Sequence, residues 1–283
     1  MPELPEVEVL VRHLAPLLRQ RTIHSVHVRR ARVLRPTSVR TLKRLLCGAR
    51  LLDVKRRGKY LLFEIRPHRH PNVTTLVGHL GMTGRMYLLP REQALPKHTA
   101  VALDLGKEQF VFEDTRYFGR FTLATEAFDG LGPEPFSQEF TPARFGEGLA
   151  RSSQAIKVKL LDQTLVAGLG NIYASEALFR AGISPRMPAR RLNRKLVKRL
   201  WSSIRATLAE AIQFGSTVAL DYSGVGEQDR LFYYGRAPGS PATYEERLLV
   251  YDREGQPCLK CGTPIKRIVQ AARSTFYCPK CQR

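Results

Sequence analysis

The stretch Cys258-Leu-Lys-Cys261, followed after 16 residues by Cys278-Pro-Lys-Cys281, decides how the C-terminal end of the chain folds. Two C-x2-C pairs at this spacing can be carried by two hairpin turns and can place four thiolates around one tetrahedral Zn²⁺. Two disulfides are the alternative, and it is disfavoured because nothing else in the chain is typical of a secreted protein. Four thiolates leave no position for water, so we predict one structural zinc ion.

Cys47 is the fifth cysteine and lies outside both pairs. Its neighbourhood mixes apolar and basic residues, which favours a thiol without chemistry of its own. We predict a buried or inert free thiol at this position.

The charge of the chain indicates a polyanionic partner. Its 283 residues include 46 Lys+Arg against 25 Asp+Glu, which gives a formal net charge of +21. A field of this sign attracts nucleic acid and also acidic membranes. No apolar stretch approaches the roughly 20 residues of a membrane-spanning helix, and no signal peptide is recognisable. We therefore predict a soluble intracellular protein that binds nucleic acid, and we further expect it to be cytoplasmic and monomeric.

The first half of the chain combines one helix with many strands. Apolar residues recur at helical spacing within residues 6–15, and Pro16 is expected to end that helix. From Ile23 to about Leu123 short apolar runs alternate with Gly, Pro and charged turns, as in residues 61–65, 73–77, 101–105, 110–112 and 121–123. This pattern predicts a β-sandwich or a flattened barrel.

The second half is predicted to be helical. A stretch rich in proline and glycine, residues 130–142, is interpreted as a linker, which puts a boundary near residue 135. Helical patterns follow over residues 145–151, 156–161, 172–181 and 192–214. The turn Gly168-Leu-Gly170 runs into a helix that starts near Asn171, and such a helix start can bind a phosphate. The basic run 186–199 is predicted to be a solvated helix face.

The N-terminus offers a nucleophile. Removal of Met1 would leave Pro2 with a free secondary amine next to the carboxylate of Glu3. A terminal amine has a reference pKa near ~7.7–8.0, so an appreciable fraction is unprotonated near neutral pH. Attack on the anomeric carbon of a sugar would give an iminium ion, which is a covalent intermediate. The alternative is structural: Pro2 tolerates a chain start and Pro5 opens a helix.

Six sequence blocks together resemble one family over the whole chain. The blocks are Pro2-Glu3-Leu-Pro-Glu6, Lys55-Arg-Arg-Gly-Lys59-Tyr-Leu-Leu, His79-Leu-Gly-Met82, Asp114-Thr-Arg116-Tyr-Phe118-Gly119, Gly168-Leu-Gly-Asn171-Ile-Tyr-Ala-Ser-Glu176 and Arg273-Ser-Thr-Phe-Tyr-Cys278-Pro-Lys-Cys281-Gln282. Because the six blocks occur in the order that the family has, the chain resembles bacterial formamidopyrimidine-DNA glycosylase. The resemblance implies an α+β multidomain fold: an N-terminal helix and β-sandwich catalytic domain (residues 1–135), a helix-two-turn-helix DNA-binding domain with a lesion-covering loop (136–250), and a zinc-finger hairpin (251–283).

The resemblance also implies an activity and its residues. Family members excise oxidised purines from damaged double-stranded DNA and cleave the strand by β- and δ-elimination. Pro2 would be the Schiff-base nucleophile, and Glu3 the acid that assists opening of the sugar ring. Glu6 would orient the amine and the helix start, Lys59 would assist β-elimination, and Arg273 would serve δ-elimination.

Everting a base leaves a gap in the duplex that the protein must fill. By resemblance the filling wedge consists of Met82, Arg116 and Phe118, although Met82 and Phe118 would otherwise be assigned to the core. The residues implied to contact phosphates are His79, His98, Lys157, Asn171, Tyr251 and Arg267.

Two departures from the family pattern and two alternatives remain. Ala100 stands where the family often has a second histidine after the one matched by His98, and residues 215–250, which include the base-covering loop, are longer than usual. The endonuclease VIII branch, which prefers oxidised pyrimidines, usually begins Pro-Glu-Gly-Pro-Glu, and Leu4 argues against it. A non-catalytic zinc-ribbon DNA-binding protein would not need Pro2 and Glu3.

Overall fold

The computed structural model describes residues 2–68, 72–215 and 248–283. Its described part divides into two compact units, an N-terminal unit up to Asp129 and a C-terminal unit that contains Gly130–Phe214 and residues 248–283. The elements of the N-terminal unit are α1 (Leu4–Leu18), β1 (Ser25–Val28), α2 (Val39–Leu46), β2 (Arg50–Arg57), β3 (Tyr60–Arg66), β4 (Thr74–His79), β5 (Gly84–Pro90), β6 (Thr99–Asp104), β7 (Glu108–Asp114) and β8 (Arg120–Thr122). Those of the C-terminal unit are α3 (Pro142–Ala150), α4 (Ile156–Lys159), α5 (Asn171–Arg180), α6 (Arg194–Gly215), β9 (Lys266–Gln270) and β10 (Arg273–Tyr277).

Two four-stranded antiparallel sheets build the N-terminal unit. Their strand orders are β1-β6-β7-β5 and β2-β3-β4-β8. Aromatic rings from the two sheets meet between them: Phe63 of β3 lies edge-on to Phe110 of β7, with ring centroids 5.6 Å apart. Phe121 of β8 stacks on Phe110 in the same core. The predicted β-sandwich with an N-terminal helix is confirmed.

Helix α1 is longer than its sequence pattern predicts. Val7, Leu10 and Leu14 form its buried stripe and pack into the core of the sandwich, as their spacing indicates. The prediction that Pro16 ends the helix is wrong, because α1 continues through Pro16 to Leu18. Pro16 lies in the last turn, where its missing N–H removes one helical hydrogen bond and leaves the earlier turns intact.

Three elements of the N-terminal unit carry no clear sequence signal. Strand β2 contains a register shift between Leu51 and Asp53, so its buried residues Leu51 and Val54 are three apart and break the alternation of a regular strand. Strand β5 is buried at nearly every position and does not alternate. Helix α2 lies inside the region predicted to be β. Its N-cap is Ser38, whose hydroxyl accepts the N–H of Thr41 at 3.0 Å.

The C-terminal unit is helical, as predicted. Helices α4 and α5 are joined by a tight double turn that Gln163 organises: its amide oxygen accepts the N–H of Gly168 at 2.9 Å, and its amide nitrogen donates to the carbonyl of Leu169 at 2.7 Å. The segment interpreted as a linker is tied to this turn, because the N–H of Gly132 donates to the Gln163 carbonyl at 2.8 Å. The boundaries at residues 135 and 250 stay predictions.

A hairpin of β9 and β10 carries the second cysteine pair beyond its end. It packs through a small apolar cluster with α5, to which Phe179, Val250, Ile265 and Phe276 contribute. The base-covering loop predicted within residues 215–250 falls almost entirely on 216–247, which lie outside the described residues. Among the helices of the described ranges, none combines the length and apolar character of a membrane span.

Cys47 was predicted to be a buried or an inert free thiol; burial is wrong, and its inertness stays a prediction. It is free and exposed, because it lies at the C-terminal cap of the amphipathic helix α2, one position beyond the buried residue Leu46. In the basic run 186–199, Arg190, Arg194 and Arg199 are exposed, in agreement with a solvated face.

Candidate functional site

The start of α1 holds the predicted nucleophile and acid. Pro2, Glu3 and Glu6 are all buried. The carboxylate of Glu6 accepts the backbone N–H of Glu3, the N-cap residue, so the predicted role of Glu6 at the helix start has a physical basis. Glu3, the predicted acid, is only 2% exposed, so its carboxyl group is shielded from solvent.

Lys59 lies in the tight turn between β2 and β3 and is only 7% exposed. Gly58 precedes it with a φ of +56°, a left-handed conformation that glycine adopts without strain. Arg56 fixes this turn against α1: its Nε donates to Glu8 at 2.8 Å and its Nη1 to the Gly58 carbonyl at 3.1 Å. Burial acts to raise the pKa of Glu8, but the hydrogen bonds from Arg56 and Arg12 outweigh it and lower that pKa.

His79, at the end of β4, is held as a neutral hydrogen-bond donor. Its Nδ1 accepts the backbone N–H of Gly81 at 3.1 Å, so the proton of the neutral ring belongs on Nε2. Burial first, and then repulsion from Lys59 and Arg120, lowers the pKa of His79 to about 4. A neutral Nε2–H can donate to a phosphate oxygen but contributes no charge.

Met82, Arg116 and Phe118 lie on two adjacent loops, residues 80–83 and 115–119, which we call the wedge loops. Met82 is 44% and Phe118 51% exposed, so neither belongs to the core. The Nη1 of Arg116 lies 3.6 Å from the Sδ of Met82. Two exposed apolar side chains beside a guanidinium can fill a gap in a duplex.

His98 lies beside the second wedge loop, at the entry to β6. Its carbonyl accepts the N–H of Asp114, the last residue of β7, at 3.1 Å. Ala100, two residues later, is fully buried in the sandwich core. The alanine that replaces a histidine of the family pattern therefore adds apolar surface to the core in this protein.

In the C-terminal unit a chain of hydrogen bonds joins three predicted phosphate contacts. The Nζ of Lys157 donates to the Oδ1 of Asn171 at 2.6 Å, and the Nδ2 of Asn171 donates to the carbonyl of Ser274 at 2.8 Å. The hydroxyl of Ser274 accepts from the Nε of Arg267 at 3.0 Å. Ser274 follows Arg273 directly, so this series of hydrogen bonds fixes the backbone next to the predicted δ-elimination residue.

Arg273 is exposed at the start of β10, next to a turn in which Ala271 and Ala272 have positive φ.

Tyr251 packs its ring edge-on against Phe276, with ring centroids 5.1 Å apart. The N–H groups of residues 249–251 all donate to Glu176, a fully buried carboxylate of α5. Burial raises the pKa of Glu176 and these hydrogen bonds oppose the rise.

The four cysteines of the two C-x2-C pairs form one cluster. Their Sγ atoms all lie within 4.8 Å of one another, with 3.5 Å between Cys261 and Cys278 and 4.0 Å between Cys258 and Cys281. Tetrahedral zinc with Zn–S bonds of ~2.3 Å requires sulfur separations of about 3.8 Å. These distances fit zinc, and no pair is bonded as a disulfide.

Gln282 ties this cluster to the segment that follows α5. Its Oε1 accepts the N–H of Cys278 at 2.9 Å, and its Nε2 donates to the Ile183 carbonyl at 3.0 Å.

The predicted site residues thus form two groups, one in each unit. Sequence reasoning gave no role to Asp114, Arg56, Glu176 or Ser274, which hold the predicted residues in place. All four lie inside sequence blocks that carry the resemblance. That position within the blocks is the signal that could have found them.

Three family models cover most of the chain. Residues 1–121 match the formamidopyrimidine-DNA glycosylase N-terminal domain, residues 131–222 the H2TH domain of the same glycosylase, and residues 255–283 a zinc finger found in that glycosylase and in IleRS.

Similar proteins cover the whole chain. The formamidopyrimidine-DNA glycosylase of Thermus thermophilus is 42% identical over 100% of this chain and 98% of its own length, and that of Carboxydothermus hydrogenoformans is 37% identical over the full length of both. A Lactococcus lactis glycosylase structure with DNA that contains N7-benzyl-Fapy-dG covers both chains fully at 32% identity and a TM-score of 0.86. A MutM structure with DNA that contains carbocyclic 8-oxo-G does so at 34% identity and 0.85. The chain belongs to the formamidopyrimidine-DNA glycosylase family.

Proposed function

We propose that this protein is a bifunctional DNA glycosylase and abasic-site lyase of base excision repair that acts on oxidised purines in double-stranded DNA. The observation that carries the proposal is the start of α1, where Pro2 and the desolvated carboxyl of Glu3 lie side by side and Glu6 fixes the backbone. Relatives of the same length have been solved with DNA that contains Fapy or 8-oxo-G lesions.

The nucleophile is the amine of Pro2 after removal of Met1. It attacks C1′ of the lesion's deoxyribose, and the bond from C1′ to the base breaks with its electron pair going to the base. The amine loses its N–H proton and the departing base takes up one proton, so this exchange is balanced. The sugar ring then opens as the C1′–O4′ bond is cleaved. Glu3 supplies the proton that O4′ takes up in this step. The product is an iminium ion between Pro2 and C1′, which withdraws electrons from C2′ and prepares the 3′ phosphate for elimination.

Two cations serve the eliminations. Lys59, held by the Arg56 contact in its turn, assists β-elimination and holds a phosphate near the reacting sugar. Arg273 assists δ-elimination mainly by stabilising the departing phosphate with its planar fork, because a guanidinium does not give up its proton near neutral pH.

The remaining residues bind DNA. Met82 and Phe118 fill the space of the everted base, and Arg116 donates hydrogen bonds to the widowed cytosine. Phosphates are bound by the donors His79, His98, Lys157, Asn171, Tyr251 and Arg267. One zinc ion, bound by Cys258, Cys261, Cys278 and Cys281, holds the hairpin of Arg267 and Arg273 in shape. We place the enzyme in the bacterial cytoplasm, as a monomer.

A substrate panel tests this proposal. Processed protein is incubated with duplexes that contain 8-oxoguanine, a formamidopyrimidine or an oxidised pyrimidine, each opposite its normal partner, and base release and strand products are separated on a gel. We expect release of both purine lesions with products cleaved on both sides of the sugar. Preference for the oxidised pyrimidine would instead assign the endonuclease VIII type of activity, and binding without release would indicate a DNA-binding protein without catalysis.

A further inference from the structure

Asp114 joins the two wedge loops. It is the last residue of β7 and is fully buried. Its Oδ1 accepts hydrogen bonds from the hydroxyl of Thr83 at 2.6 Å and from the N–H of Arg116 at 3.1 Å. Its Oδ2 accepts the N–H of Gly119 at 2.8 Å. One carboxylate therefore holds the residue after Met82, the backbone of Arg116 and the residue after Phe118.

The two loops are also in direct backbone contact. A Cβ added to Gly81, which has a φ of +62°, would lie 2.6 Å from the N of Gly119 and 2.7 Å from the carbonyl carbon of Phe118. A Cβ on Gly119 would lie 2.6 Å from the ring of Phe112. The glycines let the loops approach, and the carboxylate supplies directional bonds that set their mutual orientation.

We infer that Asp114 is a positioning residue that fixes the wedge before DNA is bound. The inference rests on the proposed function of Met82, Arg116 and Phe118. These three side chains are exposed on loops, and ordering them only upon insertion would cost conformational entropy at the step in which the base leaves the stack. A wedge that is already ordered avoids this cost. Loss of Asp114 should therefore slow excision of a lesion from duplex DNA and leave cleavage of an abasic site unchanged.

The competing interpretation is that Asp114 only stabilises the fold. A structural role would affect all substrates equally, whereas a role in wedge positioning affects a paired lesion and leaves abasic-site cleavage unchanged. The comparison of these two substrates therefore separates the interpretations.

Thr83→Val is the sharper of two test variants. It keeps the shape of the side chain and removes only the hydroxyl that donates to Asp114, which loosens the loop of Met82. Asp114→Asn is the second variant, because an amide cannot accept all the bonds that the carboxylate accepts. Thr37→Val is the matched control, since Thr37 is similarly half-buried and its hydroxyl bonds Thr122 at 2.8 Å and accepts the N–H of Leu123 at 3.0 Å, two residues outside the wedge loops.

Single-turnover excision of 8-oxoguanine opposite cytosine is compared with cleavage of a preformed abasic site. Loss of one hydrogen bond should slow excision by Thr83→Val roughly fivefold. Asp114→Asn should slow it roughly tenfold or more, since it releases both loops. Abasic-site cleavage by both variants, and both activities of Thr37→Val, should equal wild type. In a Met82→Ala background Thr83→Val should have no further effect, because it acts through Met82.

If Thr83→Val excises 8-oxoguanine at the wild-type rate, the inference is overturned, even if Asp114→Asn fails to fold. Independent, multiplying losses from Thr83→Val and Met82→Ala, or equal losses on the two substrates, would overturn it as well. The proposed wedge itself fails if Met82→Ala and Phe118→Ala both excise like wild type, and that outcome refutes the inference as well. A loss in Met82→Ala without any loss in Thr83→Val refutes the inference alone.

Discussion

Lys59 and Arg273 are both assigned to phosphates, but the two units of the protein hold them by different means. Lys59 is nearly buried in a turn between two strands of a sandwich, and a large apolar core with stacked phenylalanines supports that turn. Arg273 is exposed on a short hairpin whose apolar cluster is small and includes two of the four cysteines. The N-terminal unit owes its shape to apolar burial, whereas the hairpin owes much of its shape to a metal.

In the proposed mechanism the N-terminal unit carries base removal and β-elimination, whereas the zinc hairpin carries DNA contacts and the residue for δ-elimination. A change at the start of α1 should stop base removal without changing the zinc hairpin. A change at the cysteines should weaken DNA binding and the later elimination while the N-terminal sandwich stays folded.

Glu3→Gln should have the largest effect. Loss of a general acid lowers rates by roughly 10²- to 10⁴-fold, and we expect single-turnover base excision to fall within that range. Cleavage of a preformed abasic site should persist, because its sugar opens without this acid. Glu139→Gln is a control, since Glu139 is an exposed carboxylate paired only at the surface with Arg144. Equal losses on both substrates would refute the division of roles.

Zinc removal should affect the C-terminal unit selectively. We expect elemental analysis to find about one zinc per chain. Chelation or Cys278→Ser should lower affinity for a duplex with an abasic-site analogue by about 10- to 100-fold, because the hairpin carries Arg267 and Arg273.

Cys47→Ser is the matched control for the cysteine variant, since Cys47 is an exposed free thiol outside the cluster. Fluorescence of Trp201, the single tryptophan, reports on the C-terminal unit. Unchanged affinity in zinc-free protein would remove the hairpin from the binding surface.

His79 should give the smallest effect, and only in acid. Its folded-state pKa of about 4 lies below its ordinary value of 6.5, so the unfolded chain binds more protons between these values. Stability is therefore unaffected above pH 6.5 and falls as the pH drops toward 4. Because His79 is partly accessible to solvent, we expect its titration to lower the free energy of unfolding by only about 2 kcal/mol between pH 7 and pH 4. This part of the loss should be absent in His79→Gln.

Urea unfolding of wild type and His79→Gln at pH 7 and pH 4 measures this difference. The comparison also cancels the acid sensitivity of the cysteines, which both proteins share. Parallel pH dependence in the two proteins would contradict the neutral state of His79.

Local patterns predicted the elements that follow simple periodicity. The buried stripe of α1, the alternating strand β3 and the four helices of the second half were all readable from spacing. Strand β2 was not, because its bulge breaks the alternation, and Pro16 misled because a proline in a last helical turn removes only one bond.

At the site, the residues proposed to carry the chemistry were predicted by resemblance, whereas the residues that hold them in place were not. In the sequence Asp114 follows the predicted strand 110–112 like an ordinary turn residue, and only the folded chain shows that its carboxylate reaches Thr83, 31 positions earlier. Glu176 likewise accepts N–H groups from residues more than 70 positions later. Single-residue patterns cannot encode contacts at such separations.

Borohydride trapping identifies the nucleophile that bonds to C1′. Processed protein that begins at Pro2 is mixed with duplex that contains 8-oxoguanine opposite cytosine, and borohydride is added to reduce any iminium to a stable amine. We predict a covalent protein–DNA adduct joined through the nitrogen of Pro2, and no adduct for protein that retains Met1. An adduct of equal yield from the protein that retains Met1 would show that another amine is the nucleophile and would contradict the account.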